Sequence, residues 1–282
     1  MSLIDIRPEA RTLMQALAGS SADRYFTEIL GPALGRTAGI PLRTLDDAEA
    51  LFLSPYGCLQ AAFGHYAFLR RGKDRLELGE IALEALRRTC DPRDAGTLLE
   101  APSGLLVWSR FEEVCTERRR RPMPELNVGV IAGLVELAQE IHRSAAGGSL
   151  AQWLADAIVR TGRVEPEFMR IVDIRGVGPK FASVFLRDAV HILDLEDSVE
   201  NVDRLYLQPI DKWIRLVGEY LLNRTGEDRP ADWVLAGKLA KYARHSGVSG
   251  VRFNMGATYL GAREARSSQD FDSMLRELAV GT

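Results

Sequence analysis

Signals of a β-protein are almost missing from this 282-residue chain. Alternating β-branched runs closed by Asn-Gly or Asp-Gly are nearly absent, which argues against a sheet. Cysteine is sparse as well. Cys58, Cys90 and Cys115 form no Cys-x-x-Cys pair and fit no zinc or iron–sulfur ligand spacing. Such an odd, low count suits a reducing compartment. The four histidines, His65, His142, His191 and His245, lie at no metal-ligand spacing either. Neither a metal nor an organic cofactor is expected. No window reaches the length of a membrane span. The stretch Met1 to Ala16 carries Arg7, Glu9 and Arg11 where a signal peptide needs an unbroken apolar core. The expectation is a cytoplasmic protein with no membrane partner. A large positive charge is also lacking. The formal net charge is −3, which argues against a protein that coats nucleic acid through a broadly basic surface.

What is present is apolar residues at helical spacing, in a chain that is 46% hydrophobic. Pro8 to Leu17 opens on a proline and stops before Gly19, the usual asymmetry of helix ends. Ala22 to Leu34, Pro55 to Leu69, Leu76 to Leu86, Leu105 to Val114, Val128 to Ile141 and Leu150 to Val159 continue the pattern. The fold class expected is all-α, with no internal repeat and no low-complexity tract.

Two charged breaks interrupt it. Arg118-Arg119-Arg120-Arg121-Pro122-Met123-Pro124 reads first as a solvated helix end, where cations suit the helix dipole. Contact with DNA phosphate is the lesser reading. The acidic stretch Asp194 to Asp203 would repel DNA and is expected to face away from it.

The most informative segment is Ile174-Arg175-Gly176-Val177-Gly178-Pro179-Lys180-Phe181-Ala182. A helical pattern precedes it (Phe168, Met169, Ile171, Val172) and another follows it (Phe181, Val184, Phe185, Asp188, Ala189). Gly176 and Gly178 permit a tight turn and close approach of the backbone to a ligand. Pro179 suits the first turn of the second helix, where its missing N–H is not needed. Successive N–H groups there can face a phosphate. The residues leave two readings open: a plain corner between helices, or a grip on a DNA backbone by Arg175, Gly176, Val177 and Gly178. From Arg163 to Arg187 five basic residues meet three acidic ones, a local excess of positive charge.

Further on, Gln208-Pro209-Ile210-Asp211-Lys212-Trp213 leads into an amphipathic helix marked by Trp213, Leu216, Val217, Tyr220 and Leu221. Asp211 stands at its start, where aspartate is a favoured cap.

Gly-Val-Gly-Pro-Lys followed by Pro-Ile-Asp resembles the helix-hairpin-helix DNA glycosylase superfamily, nearest its bifunctional 8-oxoguanine glycosylase and abasic-site lyase branch. The resemblance is sharp over roughly residues 168–222. It implies that Lys180 is the nucleophile, attacking C1′ of a flipped-out nucleotide and forming a Schiff base. It implies that Asp211 stabilises the positive charge that develops on the sugar. Residues 47–195 would form one helical domain ending in the hairpin, and 1–46 plus 196–282 a second, with the cleft between them. The implied partner is double-stranded DNA carrying a damaged base, bound by a monomer, and the implied location is the nucleoid. Phe253, on a C-terminal helical pattern, is the candidate for stacking on the base. Asp211 follows Lys180 by 31 residues, farther than in the commonest members and closer to an archaeal 8-oxoguanine branch. Asp203, at a separation of 23, is the rival carboxylate. Trp213 stands where the family often has histidine, and the family's four-cysteine loop is absent.

Overall fold

A computed structural model of the protein describes residues 6–69, 74–90, 95–100, 103–144, 148–222 and 230–281, the side chains of 95–97 excepted. Among the described residues every regular element is helical and there is no strand. No helix among them is long and apolar enough to cross a membrane. The fold is all-α.

The helix ends follow local chemistry. Thr44 caps Leu45–Leu53 by accepting from the Asp47 N–H, while Asp47 accepts from the Thr44 N–H in return. Ser54, Ser249 and Ser267 cap the helices Pro55–Ala61, Gly250–Tyr259 and Ser268–Val280 in the simpler one-sided way. Gly247, at φ +71°, closes Asp232–Ser246 in the left-handed conformation. Two stretches that the spacing presents as continuous helices carry a wider turn inside them. Phe26–Leu30 and Ala62–Tyr66 are π-helical, as is Leu260–Glu264. A single wide turn shifts the apolar face without breaking the helix, so side-chain spacing alone does not reveal it.

The chain divides into two compact units. The middle unit comprises Gly31–Thr161 and Glu165–Phe185. The terminal unit comprises Met1–Leu30, Gly162–Val164 and Leu186–Thr282. Thus residues 31–46 group with the middle segment, and 186–195 with the chain ends. The boundary near residue 185 falls inside one helix, Pro179–Ile192.

The middle unit is built on aromatic packing. Phe52 stacks on Phe185, and Tyr66 meets both Phe181 and Phe185 edge-on. Trp108 and Phe68 each stack on Phe111. Tyr66, Phe52, Phe63, Phe111 and Phe185 are all fully buried. Each such ring removes a large apolar surface from water and so contributes to the cohesion of the unit. The terminal unit has a core of its own. Leu13, Met14 and Leu17 from Pro8–Ala18 pack with Ile214, Val217, Leu235, Leu239, Phe253, Phe271 and Leu275. The Lys212–Leu222 helix is therefore anchored along its apolar face in that unit.

Candidate functional site

The Gly-rich turn lies in the middle unit. The helix Glu165–Val172 ends, the chain turns through Asp173 to Gly178, and the helix Pro179–Ile192 begins. The Val177 N–H donates to the Ile174 carbonyl at 2.9 Å, which closes the corner. Gly176 has φ +88°, a conformation that side-chain-bearing residues rarely adopt. A β-carbon there would also stand 2.7 Å from Val130 Cγ2. Val177 is buried, and so anchors the turn, whereas Arg175, Gly176 and Lys180 are exposed.

The turn is seated on another helix, Pro124–Ser144, over two glycines one helical turn apart. A β-carbon on Gly129 would lie 2.6 Å from the Arg175 carbonyl oxygen. One on Gly133 would lie 2.6 Å from Ile174 Cγ2. Backbone meets backbone at the first contact, so the turn's path is dictated by the absence of a side chain on the opposite helix. The sequence carries this as Gly-Val-Ile-Ala-Gly inside a helical pattern, a spacing that signals close approach.

Pro179 occupies the first position of its helix. Among the described residues no acceptor engages the N–H groups of Gly178, Lys180 or Phe181. These groups lie at the positive end of the helix dipole; of the three residues Gly178 and Phe181 are buried and Lys180 is exposed. No ion pair among the described residues engages Lys180 or Arg175. The other basic residues of the segment behave differently from a free phosphate patch. Arg163 pairs with Asp203, Arg170 with Glu140, and Arg187 is buried against Asp188. The local positive charge left facing solvent is Arg175 and Lys180.

Two arginines of the run Arg118 to Arg121 are likewise engaged, whereas Arg119 and Arg121 are exposed and enter no ion pair among the described residues. Arg118 pairs with Glu80 at 3.4 Å, and Arg120 is bidentate on Glu77. Arg88 adds a two-pronged contact to Glu117 at 2.7 and 2.8 Å. These pairs tie the end of Gly104–Glu117 to the helix Arg75–Thr89, the role of a solvated helix end.

Asp211 lies in the terminal unit and caps Lys212–Leu222. Its Oδ1 accepts from the Trp213 and Ile214 N–H groups at 2.8 and 2.9 Å. Both bonds fall on one oxygen, which fixes the carboxylate while the second oxygen carries no hydrogen bond among the described residues. The group is partly exposed. It also bears on Tyr25. Burial raises the Tyr25 phenol well above its usual range, the Arg187 guanidinium lowers it, and the Asp188 and Asp211 carboxylates raise it further. Trp213 packs its ring 5.0 Å from that of Phe271, centroid to centroid, and carries the Lys212 ammonium 3.8 Å from its centroid.

Asp203 has a different setting. It is 2% exposed, and its Oδ2 accepts from Arg163 Nε at 3.0 Å and from the Val164 N–H at 2.7 Å. That carboxylate ties a loop in place and offers no open face.

Phe253 requires a correction. It is 0% exposed and belongs to the core of the terminal unit. Both faces of a stacking ring cannot be covered by the protein's own side chains, so the base-stacking assignment is withdrawn.

The residues that composition and spacing pass over are the buried polar ones. Arg187, Asp188, Gln208 and Asn254 are all buried, and Tyr25 joins them. Their signal is a polar residue on an apolar helical face, as in Phe253-Asn254-Met255. No protein-family model, curated protein or solved structure matches the chain.

Proposed function

We propose that this chain is a DNA-repair glycosylase with abasic-site lyase activity. It would act on double-stranded DNA carrying a damaged purine, 8-oxoguanine first among the candidates. The observation that carries the reading is Lys180: exposed, engaged by no ion pair among the described residues, and placed at the second position of the helix that follows the Gly176–Gly178 turn. The second residue of the reading is Asp211 of the terminal unit, a carboxylate held through one oxygen.

In this reading the N–H groups around Gly176 and Gly178, with Arg175, hold the phosphate backbone without reading sequence. The damaged nucleotide is flipped from the stack so that its glycosidic bond becomes reachable. The Lys180 Nζ lone pair attacks C1′ as the C1′–N bond breaks, and the base departs with that bond's electron pair and takes up a proton. Asp211 stabilises the positive charge on the sugar during that step. The C1′–O4′ bond of the resulting aminal then breaks, its electron pair and a proton going to O4′, which leaves a Schiff base between Nζ and C1′, and β-elimination then cleaves the strand on the 3′ side.

Borohydride reduction tests the reading on duplexes carrying 8-oxoguanine, uracil or an abasic site. A trapped complex on one damaged base, lost in Lys180→Gln, is the expected result. The exposure of Lys180 favours a second reading, a non-catalytic module in which this ammonium contacts phosphate. That module forms no adduct on any duplex, and its Lys180→Gln variant loses only modest, salt-sensitive affinity.

A further inference from the structure

A network of buried polar side chains stands behind Asp211 in the terminal unit. Arg187, 1% exposed, donates from Nε and Nη2 to Asp188 Oδ1 at 2.9 and 2.7 Å. Its Nη2 also reaches the Tyr25 hydroxyl, and its Nη1 donates to Asn254 Oδ1 at 2.8 Å. The Asn254 amide then donates to Gln208 Oε1 at 3.2 Å and to the Pro209 carbonyl at 3.3 Å. Gln208 Nε2 donates to the Gly250 carbonyl at 3.1 Å. The chain of bonds therefore ends on the two residues that lead into Ile210-Asp211.

Stability alone does not account for such an arrangement. A buried ion pair brings a desolvation cost that offsets its attraction, and apolar residues of similar volume often serve as well. What the network supplies is direction. Asn254 accepts from a fixed cation on one side and donates to the backbone on the other, so it transmits the guanidinium's position to Pro209. Proline's fixed φ stiffens the link between Gln208, which the network also holds, and the Pro209 carbonyl, and Ile210 alone separates Pro209 from Asp211. The capping bonds hold one oxygen of Asp211, and the network holds the chain that delivers it.

We infer that Arg187 and Asn254 are positioning residues that aim the free oxygen of Asp211. This rests on the glycosylase reading above. The test replaces the ion pair by apolar residues of similar volume, Arg187→Met with Asp188→Leu, and separately shortens the far end with Gln208→Ala. Melting temperature, DNA affinity, adduct yield on a preformed abasic duplex and single-turnover base release are compared. The inference expects base release to slow roughly 10- to 100-fold, the loss typical of a misaimed catalytic group. Affinity and adduct yield on the abasic duplex should stay near wild type, because Asp211 acts in the bond-breaking step. Should the double variant fail to fold, Gln208→Ala carries the comparison alone. Unchanged base release in a folded variant overturns the positioning role. An equal fall in affinity, adduct and release also overturns it, since that is the pattern of a structural defect. A wild-type protein that neither releases base nor forms an adduct removes the glycosylase reading itself, and the inference falls with it.

Discussion

Asp203 and Asp211 carry the same carboxylate into opposite surroundings. Asp203 is buried and accepts from a cation and a backbone N–H. Replacing it with alanine leaves the Val164 N–H buried without its partner and releases Arg163. The expected cost is about 2 kcal/mol, the usual penalty for an orphaned buried donor, with the half-exposed Arg163 adding little. Denaturant titration of Asp203→Ala should show that loss, while adduct formation per folded molecule stays unchanged. Asp211→Asn should keep its stability, because an amide oxygen still accepts the two capping bonds, and should slow base release while adduct yield on a preformed abasic duplex stays near wild type. The prediction fails if Asp203→Ala proves as stable as wild type.

His191 adds a pH term. Burial lowers its pKa first, and the Arg252 and Arg187 cations lower it further, to about 4. The unfolded chain takes up this proton near the ordinary value of about 6.5. Between those limits the unfolded state binds more protons, so stability rises with pH across that window and is lost as pH falls through it. From pH 7 to pH 4.5 the loss from this group is on the order of 2–3 kcal/mol. His191→Gln should flatten that part of the stability profile. An unaltered slope in the variant would contradict the assignment.

Helix glycines in this fold divide into two kinds. Gly129 faces a backbone oxygen, whereas Gly237, inside Asp232–Ser246, has nothing within 4 Å of where a β-carbon would stand. Alanine at Gly237 should stabilise by about 0.5–1 kcal/mol through helix propensity. Alanine at Gly129 gains the same propensity but pushes on the Arg175 carbonyl. The net should be a destabilisation of about 1–2 kcal/mol, the range of overpacking costs. It should also loosen the turn that holds Lys180. Paired melting curves of the two alanine variants test this, and a shift of the same sign at both sites would refute it.

These glycines show where sequence reading succeeds and where it stops. The helices around Leu83, Phe111 and Ile158 are legible because one apolar face repeats with the helical period. The turn at Gly176 is legible because glycine, proline and the flanking patterns all mark the same place. The seat on Gly129 and Gly133 is a property of two segments far apart in the chain, and nothing local to Gly176 announces it. Likewise Arg163, Arg170 and Arg187 count as basic residues in the sequence, yet each is engaged by a carboxylate in the fold. Charge counted along a chain is not charge presented to a partner. Phe253 fails for the same reason: an aromatic on a helical pattern carries no mark that separates core from pocket.

Each compact unit carries one residue of the proposed chemistry. Lys180 belongs to the middle unit, on a turn that a second helix holds in place. Asp211 belongs to the terminal unit, at a helix start backed by buried polar groups. The central claim is that Lys180 Nζ becomes covalently bonded to the sugar of a damaged nucleotide. The most direct measurement is borohydride trapping on an 8-oxoguanine duplex, followed by proteolysis and mass mapping of the cross-linked peptide. The account predicts one adduct, on the peptide containing Lys180, absent from Lys180→Gln. An adduct mapped to another lysine, or none on any damaged or abasic duplex, would contradict it.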